Sequence, residues 1–194
     1  MEKVIKYILN IASLSVLIMC VSCGPKKDDS KKEAVKENEE TFDDKKIEVD
    51  HEFAVNTAEG GMLEIKLGEL SQTKAVSPSI KMYGKMMIDD HSKFNENLKA
   101  LAAVKGIALP TDLGKKCQKD YDELAQKSGR EFDEAYIAFM VKDHREDIEE
   151  MRKEAEQGVD PELKLFAGQL FGFMQNHLEK ALETQKAIGV KSPI

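Results

Sequence analysis

Helix start and stop signals place the strongest constraint on how this chain folds. Ser77-Pro78 and Asp160-Pro161 each put an N-cap residue before a proline at the first helical position. Glycines stand where helix C-terminal caps are needed, at Gly106, Gly158 and Gly189. The signals predict four long helices and a shorter one, at about 50–74, 78–104, 131–157 and 161–187, and at about 112–127.

The apolar residues of these predicted helices recur every three or four positions, which is the spacing of one buried helix face. No window alternates convincingly between apolar and polar residues with period two. Aromatic residues make up only 6% of the 194 residues and charged residues 34%, which suits a helical protein better than a β-sandwich or barrel. We therefore predict an all-α domain over residues 48–190.

The connection between the second and third long helices is long, whereas the other two connections are tight. Ferritin-like folds use one long crossover of this kind. The pattern predicts a ferritin-like four-helix bundle with an extra short helix in the connection between helices 2 and 3. An up-down-up-down bundle with the short helix across one end fits the same pattern.

The N-terminus resembles a bacterial export signal. Lys3 and Lys6 precede an apolar stretch over 7–22, which is short and contains polar residues. The stretch ends in Val21-Ser22-Cys23-Gly24, which resembles a lipoprotein cleavage site. We predict a signal peptide at 1–22, lipidation of Cys23 and attachment to a bacterial envelope membrane, the outer membrane, on its periplasmic or surface face. An ordinary secretory signal or a single-pass anchor is the alternative.

The segment that follows is dominated by charged residues of both signs. A segment with so few apolar residues buries too little surface to offset the entropy of ordering. We predict a disordered charged linker at 23–47. The formal net charge of the whole chain is −7. This balance argues against nucleic acid as a partner and leaves the membrane as the predicted one.

Three histidines lie on apolar stripes at matching heights. His91 and His144 are at the midpoints of their predicted helices, and His177 is about 4.5 Å past the middle of the last helix. Glu64 lies just past the middle of the first long helix, at the edge of its stripe. The middles of helices packed side by side lie at the same height whether the helices are parallel or antiparallel. These four side chains can therefore meet in one layer of the bundle.

Neutral imidazole suits iron, zinc or copper as a ligand. We predict that the layer binds a single transition-metal ion (Fe, Zn, Cu or Mn) through His91, His144, His177 and Glu64. The alternative is a metal-free network in which the histidines bond to each other, to Tyr83 or Tyr136, or to trapped water. That alternative would make the chain a structural or protein-interaction module of the envelope.

Other polar and thioether side chains flank these histidines along the sequence. They are expected to support or border the layer, and they are Asp90, Asp143, Met87, Met140 and Met174. Di-iron bundles instead use Glu-x-x-His pairs. Here Ile88, Val141 and Met174 stand three residues before the histidines. A binding role is therefore favoured over an enzyme, and a redox enzyme with an open coordination position is a third interpretation.

Several segments resemble the bacterial family known as domain of unknown function 4142, whose members are described as outer-membrane or ferritin-like proteins. The resemblance spans about residues 50–187, and it implies a ferritin-like bundle in the cell envelope and no established activity. The matching segments are Phe53-Ala54, Gly60-Gly61 and Glu64; Met86-Met87-Ile88-Asp89-Asp90-His91-Ser92, Asn95 and Leu98; Leu109-Pro110; Phe132-Asp133, Tyr136, Met140 and His144; and Phe166-Ala167 and His177-Leu178.

Overall fold

The computed structural model describes residues 29–42 and 47–190. These residues form helices and no strand, which confirms the predicted all-helical class. The six helices are α1 (Ser30–Thr41), α2 (Glu48–Lys74), α3 (Pro78–Lys105), α4 (Lys115–Ala125), α5 (Gly129–Gln157) and α6 (Pro161–Ala187). None of the helices in the described ranges is long and apolar enough to cross a membrane. The predicted signal peptide and Cys23 lie outside the described residues.

The predicted capping signals act only in part, since the Ser77 side chain forms no capping hydrogen bond at the start of α3. The Asp160 side chain accepts hydrogen bonds from the backbone N–H groups of Glu162 and Leu163, at 2.9 and 3.0 Å, and so caps α6. Gly106 ends α3 in the left-handed conformation, with φ 71°. Gly158 ends α5 with φ −58° instead. A β-carbon there would lie 2.6 Å from Cδ of Glu154, so packing rather than conformation favours glycine.

Contacts at the helix ends give the direction of each long helix. The Asp133 carboxylate, in the first turns of α5, accepts hydrogen bonds from the backbone N–H groups of Val76 and Ser77, just past the end of α2. At the other end, the carboxylate of Asp50 in the first turn of α2 accepts one from Val159, just past α5. Helices α2 and α5 are therefore antiparallel neighbours.

The same reasoning applies to the other two long helices. Lys105 at the end of α3 contacts Asp160 and Glu162 at the start of α6, with Nζ–O distances of 2.6 and 2.7 Å. Helices α3 and α6 are thus antiparallel, so α3 and α5 run in the same direction. The connection that contains α4 must return the chain along the length of the helices before α5 begins.

Two apolar clusters fill the interior between the long helices, one toward each end. On α3, Met87 belongs to the first cluster and Leu98 to the second, with His91 between them. On α5, Met140 and Met151 bracket His144 in the same way. A polar layer therefore separates two apolar cores, as the matching heights predicted.

The prediction of a disordered linker at 23–47 is wrong for α1. This helix buries Ala34 and Asn38, and the Asn38 side chain bonds to both backbone groups of Ala108, at 2.7 and 3.0 Å. Lys31 also forms an ion pair with Glu59 of α2, at 2.8 Å. Composition alone missed the helix because a buried alanine and a few polar contacts, rather than an apolar stripe, attach it to the domain.

Candidate metal centre

Each long helix contributes one residue to the polar layer. Glu64 comes from α2, His91 from α3, His144 from α5 and His177 from α6. All four are buried, with exposed fractions of 4% or less. The residues that were predicted from helix heights are therefore brought together. Glu64, the least regular of them in the sequence pattern, is as deeply buried as the histidines.

Each imidazole has one ring nitrogen held by an oxygen acceptor. Nδ1 of His91 lies 2.8 Å from Oε2 of Glu64, and Nδ1 of His144 lies 3.0 Å from the backbone oxygen of Met140. Nε2 of His177 lies 3.2 Å from Oδ2 of Asp90. A neutral imidazole that donates through one nitrogen carries its lone pair on the other. These acceptors therefore select the tautomer of each ring.

The remaining nitrogen of each ring is buried and has no hydrogen-bond partner among the described residues. These atoms are Nε2 of His91, Nε2 of His144 and Nδ1 of His177. One ligand atom from each of the three rings can lie within 4.8 Å of the others. The ring centroids are 5.3 to 6.0 Å apart. A buried lone pair without a partner costs free energy, and one cation between the rings would satisfy all three.

The Glu64 carboxylate lies against the same rings. Its second oxygen, Oε1, is 3.3 Å from Nε2 of His144. Burial raises the pKa of Glu64, but attraction to His91 and His144 in their protonated forms and the hydrogen bond from His91 outweigh burial, so its pKa is lowered. The carboxylate is therefore ionised and offers a negative oxygen beside the three nitrogens.

Two of the three imidazoles, those of His144 and His177, favour the neutral form. Burial and the two neighbouring imidazoles lower the pKa of His177 to about 4. Burial also lowers the pKa of His144, although the nearby Glu64 opposes this. Near neutral pH these rings are uncharged, which is the form that binds metal ions.

The predicted flanking residues occupy different places. Asp90 bonds to His177 and is partly exposed. Met87 and Met140 are buried in one apolar cluster, and Met174 in the other. Asp143 is half-buried beside the layer. Burial, together with the negative charge of Glu64, raises its pKa well above the usual range.

Sequence analysis missed two residues beside the layer, Asp147 and Thr57. Asp147 lies one turn after His144, and the two residues form a second group with Glu64 whose ligand atoms lie within 4.8 Å of one another. The spacing Asp143, His144, Asp147 was visible in the sequence and puts both acids near the histidine side of α5. Thr57 carries no sequence signal, because only packing places it there.

A small cavity of about 20 Å³ adjoins the layer, and this is enough room for one water molecule. Thr57, Glu64, His91 and Asp147 all line it. Each of these residues has one buried side-chain atom with no hydrogen-bond partner among the described residues: Oγ1, Oε1, Nε2 and Oδ2 respectively. The wall of this cavity is therefore rich in unsatisfied polar atoms.

Comparison with known proteins places the chain in a family. The family model described as "Domain of unknown function (DUF4142)" matches residues 34–184. The chain belongs to the DUF4142 family. The match begins within α1, so the family unit includes part of the segment that was predicted to be a linker. Searches of curated proteins and of solved structures found no match.

Proposed function

We propose that this DUF4142 protein is an envelope lipoprotein whose ferritin-like four-helix bundle binds a transition-metal ion. The ligands are Nε2 of His91, Nε2 of His144 and Nδ1 of His177, with Glu64 as the fourth. The observation that carries the proposal is a group of three buried rings, each with one nitrogen that has no partner among the described residues, in which one ligand nitrogen of each ring lies within 4.8 Å of the others. An oxygen acceptor on the opposite nitrogen of each ring, as in known metal sites, supports it.

The metal-free network is the competing interpretation, and the hydrogen bonds argue against it. Tyr83 donates to the backbone oxygen of His177, at 3.3 Å, and not to an imidazole ring. The Tyr136 hydroxyl has no partner among the described residues. A network that existed to satisfy the histidines would use these neighbouring hydroxyls. Instead the three nitrogens are left for another occupant.

Metal content tests the proposal directly. The full-length chain would be purified without an affinity tag, and its bound metals measured by elemental mass spectrometry. We expect near-stoichiometric Fe, Zn, Cu or Mn that is lost in His144→Ala and His177→Ala and kept in His51→Ala, a histidine outside the layer. Adding the ion should also raise the melting temperature of the wild type and not of His144→Ala. A wild type that holds no metal and takes up none on titration would contradict the proposal.

The envelope assignment has a separate test. Incorporation of a labelled fatty acid into the chain, expressed in a bacterium with lipoprotein processing, should depend on Cys23. The Cys23→Ser variant should remain unlabelled, and Cys20→Ser should be labelled like the wild type. Labelling that survives in Cys23→Ser would contradict the predicted anchor.

A further inference from the structure

We infer that the site has a second cation position, rich in oxygen, next to the histidines. This inference rests on the proposed function. The second ion would be held by Oε1 of Glu64 and the carboxylate of Asp147, and it would extend into the cavity lined by Thr57. Its chemical class is a hard divalent cation such as Mn²⁺, because carboxylate, hydroxyl and water oxygens are the ligands that such ions prefer.

The two candidate ligand groups share His144, and this shared residue implies two neighbouring ion positions. His144 belongs both to the histidine group and to the group with Glu64 and Asp147. Its Nδ1 is occupied by the backbone oxygen of Met140, so only Nε2 can bind an ion, and one nitrogen binds only one. If Nε2 of His144 binds the ion that the three histidines hold, Glu64 and Asp147 remain as ligands for a neighbouring ion. Oε1 of Glu64, 3.3 Å from that nitrogen, then lies between the two positions.

Unsatisfied atoms in the cavity point to an occupant. Oε1 of Glu64 belongs to a side chain that is only 3% exposed. Oδ2 of Asp147 and Oγ1 of Thr57 are buried in the same wall, and all three lack hydrogen-bond partners among the described residues. The cavity of about 20 Å³ leaves room for one water molecule on an ion held by the carboxylates. A cation with one bound water would satisfy all three oxygens.

The charge balance supports a cation rather than water alone. Glu64 and Asp147 each offer an oxygen to one ligand group whose atoms lie within 4.8 Å of one another, and the described residues that line the cavity include no Lys or Arg. No Lys or Arg of the described residues lies within ion-pair distance of Asp147 (4.0 Å or less). A buried carboxyl oxygen without a hydrogen-bond partner or a cation is costly, and a divalent ion at this position would supply the partner.

Manganese titration tests the second position. The full-length chain in detergent would be stripped with a chelator, titrated with Mn²⁺, desalted and measured by elemental mass spectrometry. We expect two ions per chain in the wild type and one in Asp147→Asn, which keeps the size of the side chain and removes its charge. Glu150→Gln is the matched control, because Glu150 is a half-buried acid one turn further along α5 that does not line the cavity. It should bind two.

Electron paramagnetic resonance adds a measurement that does not depend on the number of ions counted per chain. Two Mn²⁺ ions that share a carboxylate should give an exchange-coupled spectrum, and Asp147→Asn should give the hyperfine pattern of an isolated ion. Thr57→Val should keep both ions and weaken binding of the second by about tenfold, because it removes a polar contact to the bound water. Circular dichroism would show that the variants are folded.

The outcomes distinguish this inference from the proposed function. One ion in the wild type, lost in His177→Ala and kept in Asp147→Asn, would support the histidine site and overturn the second position. Two ions that persist in Asp147→Asn would also overturn it, since the second ion would then bind elsewhere. No bound ion in the wild type would overturn both.

Discussion

At the scale of single residues, the oxygen acceptors behind the histidines decide what the layer can do. Asp90, Glu64 and the Met140 carbonyl each engage one ring nitrogen, and the other nitrogen of each ring has no hydrogen-bond partner among the described residues. An imidazole without such an acceptor can exchange tautomers and rotate. The site therefore depends partly on groups that would not themselves touch the ion, the Asp90 carboxylate and the Met140 carbonyl.

Asp90 provides a test of this dependence. Asp90→Ala removes the acceptor from Nε2 of His177, so metal affinity should fall by about 10- to 100-fold with little loss of helical structure. Isothermal titration calorimetry with the ion found in the wild type would measure it. Asp89→Ala is the control, because within the described part of the chain the Asp89 carboxylate pairs with Lys85 on the surface and not with a histidine of the layer. Equal affinities for the wild type and Asp90→Ala would contradict the orienting role.

Glu154 gives a pH prediction away from the layer. Burial and the neighbouring Asp50 raise the pKa of this buried carboxyl to about 8, against 4.5 for an unperturbed Glu. Between these values the unfolded chain releases the proton and the folded chain keeps it, so stability falls as pH rises and levels off above about 8. Below about 4.5 the full stability is present.

The Glu154→Gln variant cannot ionise and should lack this pH dependence. Relative to it, the wild type should lose at least about 1.4 kcal/mol of unfolding free energy across that window, the equivalent of one pKa unit. Urea denaturation at a series of pH values measures the difference. Glu156→Gln, an exposed acid on the same helix, should follow the wild type. Parallel curves for the wild type and Glu154→Gln would refute the prediction.

At the scale of helices, α2 and α3 approach closely where two glycines face each other. A β-carbon on Gly68 would lie 2.6 Å from the backbone oxygen of Gly84. A β-carbon on Gly84 would overlap Oγ of Ser71 and lie 3.1 Å from the Gly68 oxygen. The irregular apolar stripe of α2 is thus explained, since part of its contact with α3 is made by backbone and not by large side chains.

Two glycine substitutions should therefore change the free energy of unfolding in opposite directions. Gly84→Ala forces the two backbones apart and should cost about 1 to 3 kcal/mol of unfolding free energy. Gly172→Ala, on the exposed side of α6 with nothing within 4 Å of the new β-carbon, should add up to about 1 kcal/mol through helix propensity. Chemical denaturation of both variants checks the signs. A neutral Gly84→Ala would show that the contact is looser than these distances indicate.

At the scale of the whole molecule, short polar contacts join helix α1 and the crossover to the long helices. Glu59 on α2 binds both, through Lys31 of α1 and through the backbone N–H of Gly114 at the start of α4, at 2.7 Å. Asn38 then bonds to the chain just after α3. The N-terminal helix is therefore attached to the crossover as well as to the bundle.

Asn38→Ala should detach α1 without unfolding the rest. It removes two hydrogen bonds to Ala108 and leaves that backbone unsatisfied, at a cost of about 1 to 3 kcal/mol to the docking of α1. Hydrogen exchange measured by mass spectrometry should speed up in α1 and stay unchanged in α3 and α6. Glu37→Ala, an exposed position on α1, is the control. Unchanged exchange in α1 would contradict this role for Asn38.

Much of this arrangement follows from the amino-acid sequence alone. Caps such as Asp160 and apolar spacing located the long helices, because both are local properties of a few consecutive residues. A constant rise per residue then put His91 and His144 at one height regardless of helix direction. The all-helical class and the polar layer both followed from this local information.

Contacts between distant segments decided the remainder. The direction of α5 relative to α2, the free nitrogen on each imidazole, and the burial of Glu64 and Asp147 all depend on how the helices rotate and pack. The docking of α1 depends on one asparagine that meets a backbone 70 residues away. No local pattern carries such information, because the free energy of each contact comes from a partner that folding alone brings near.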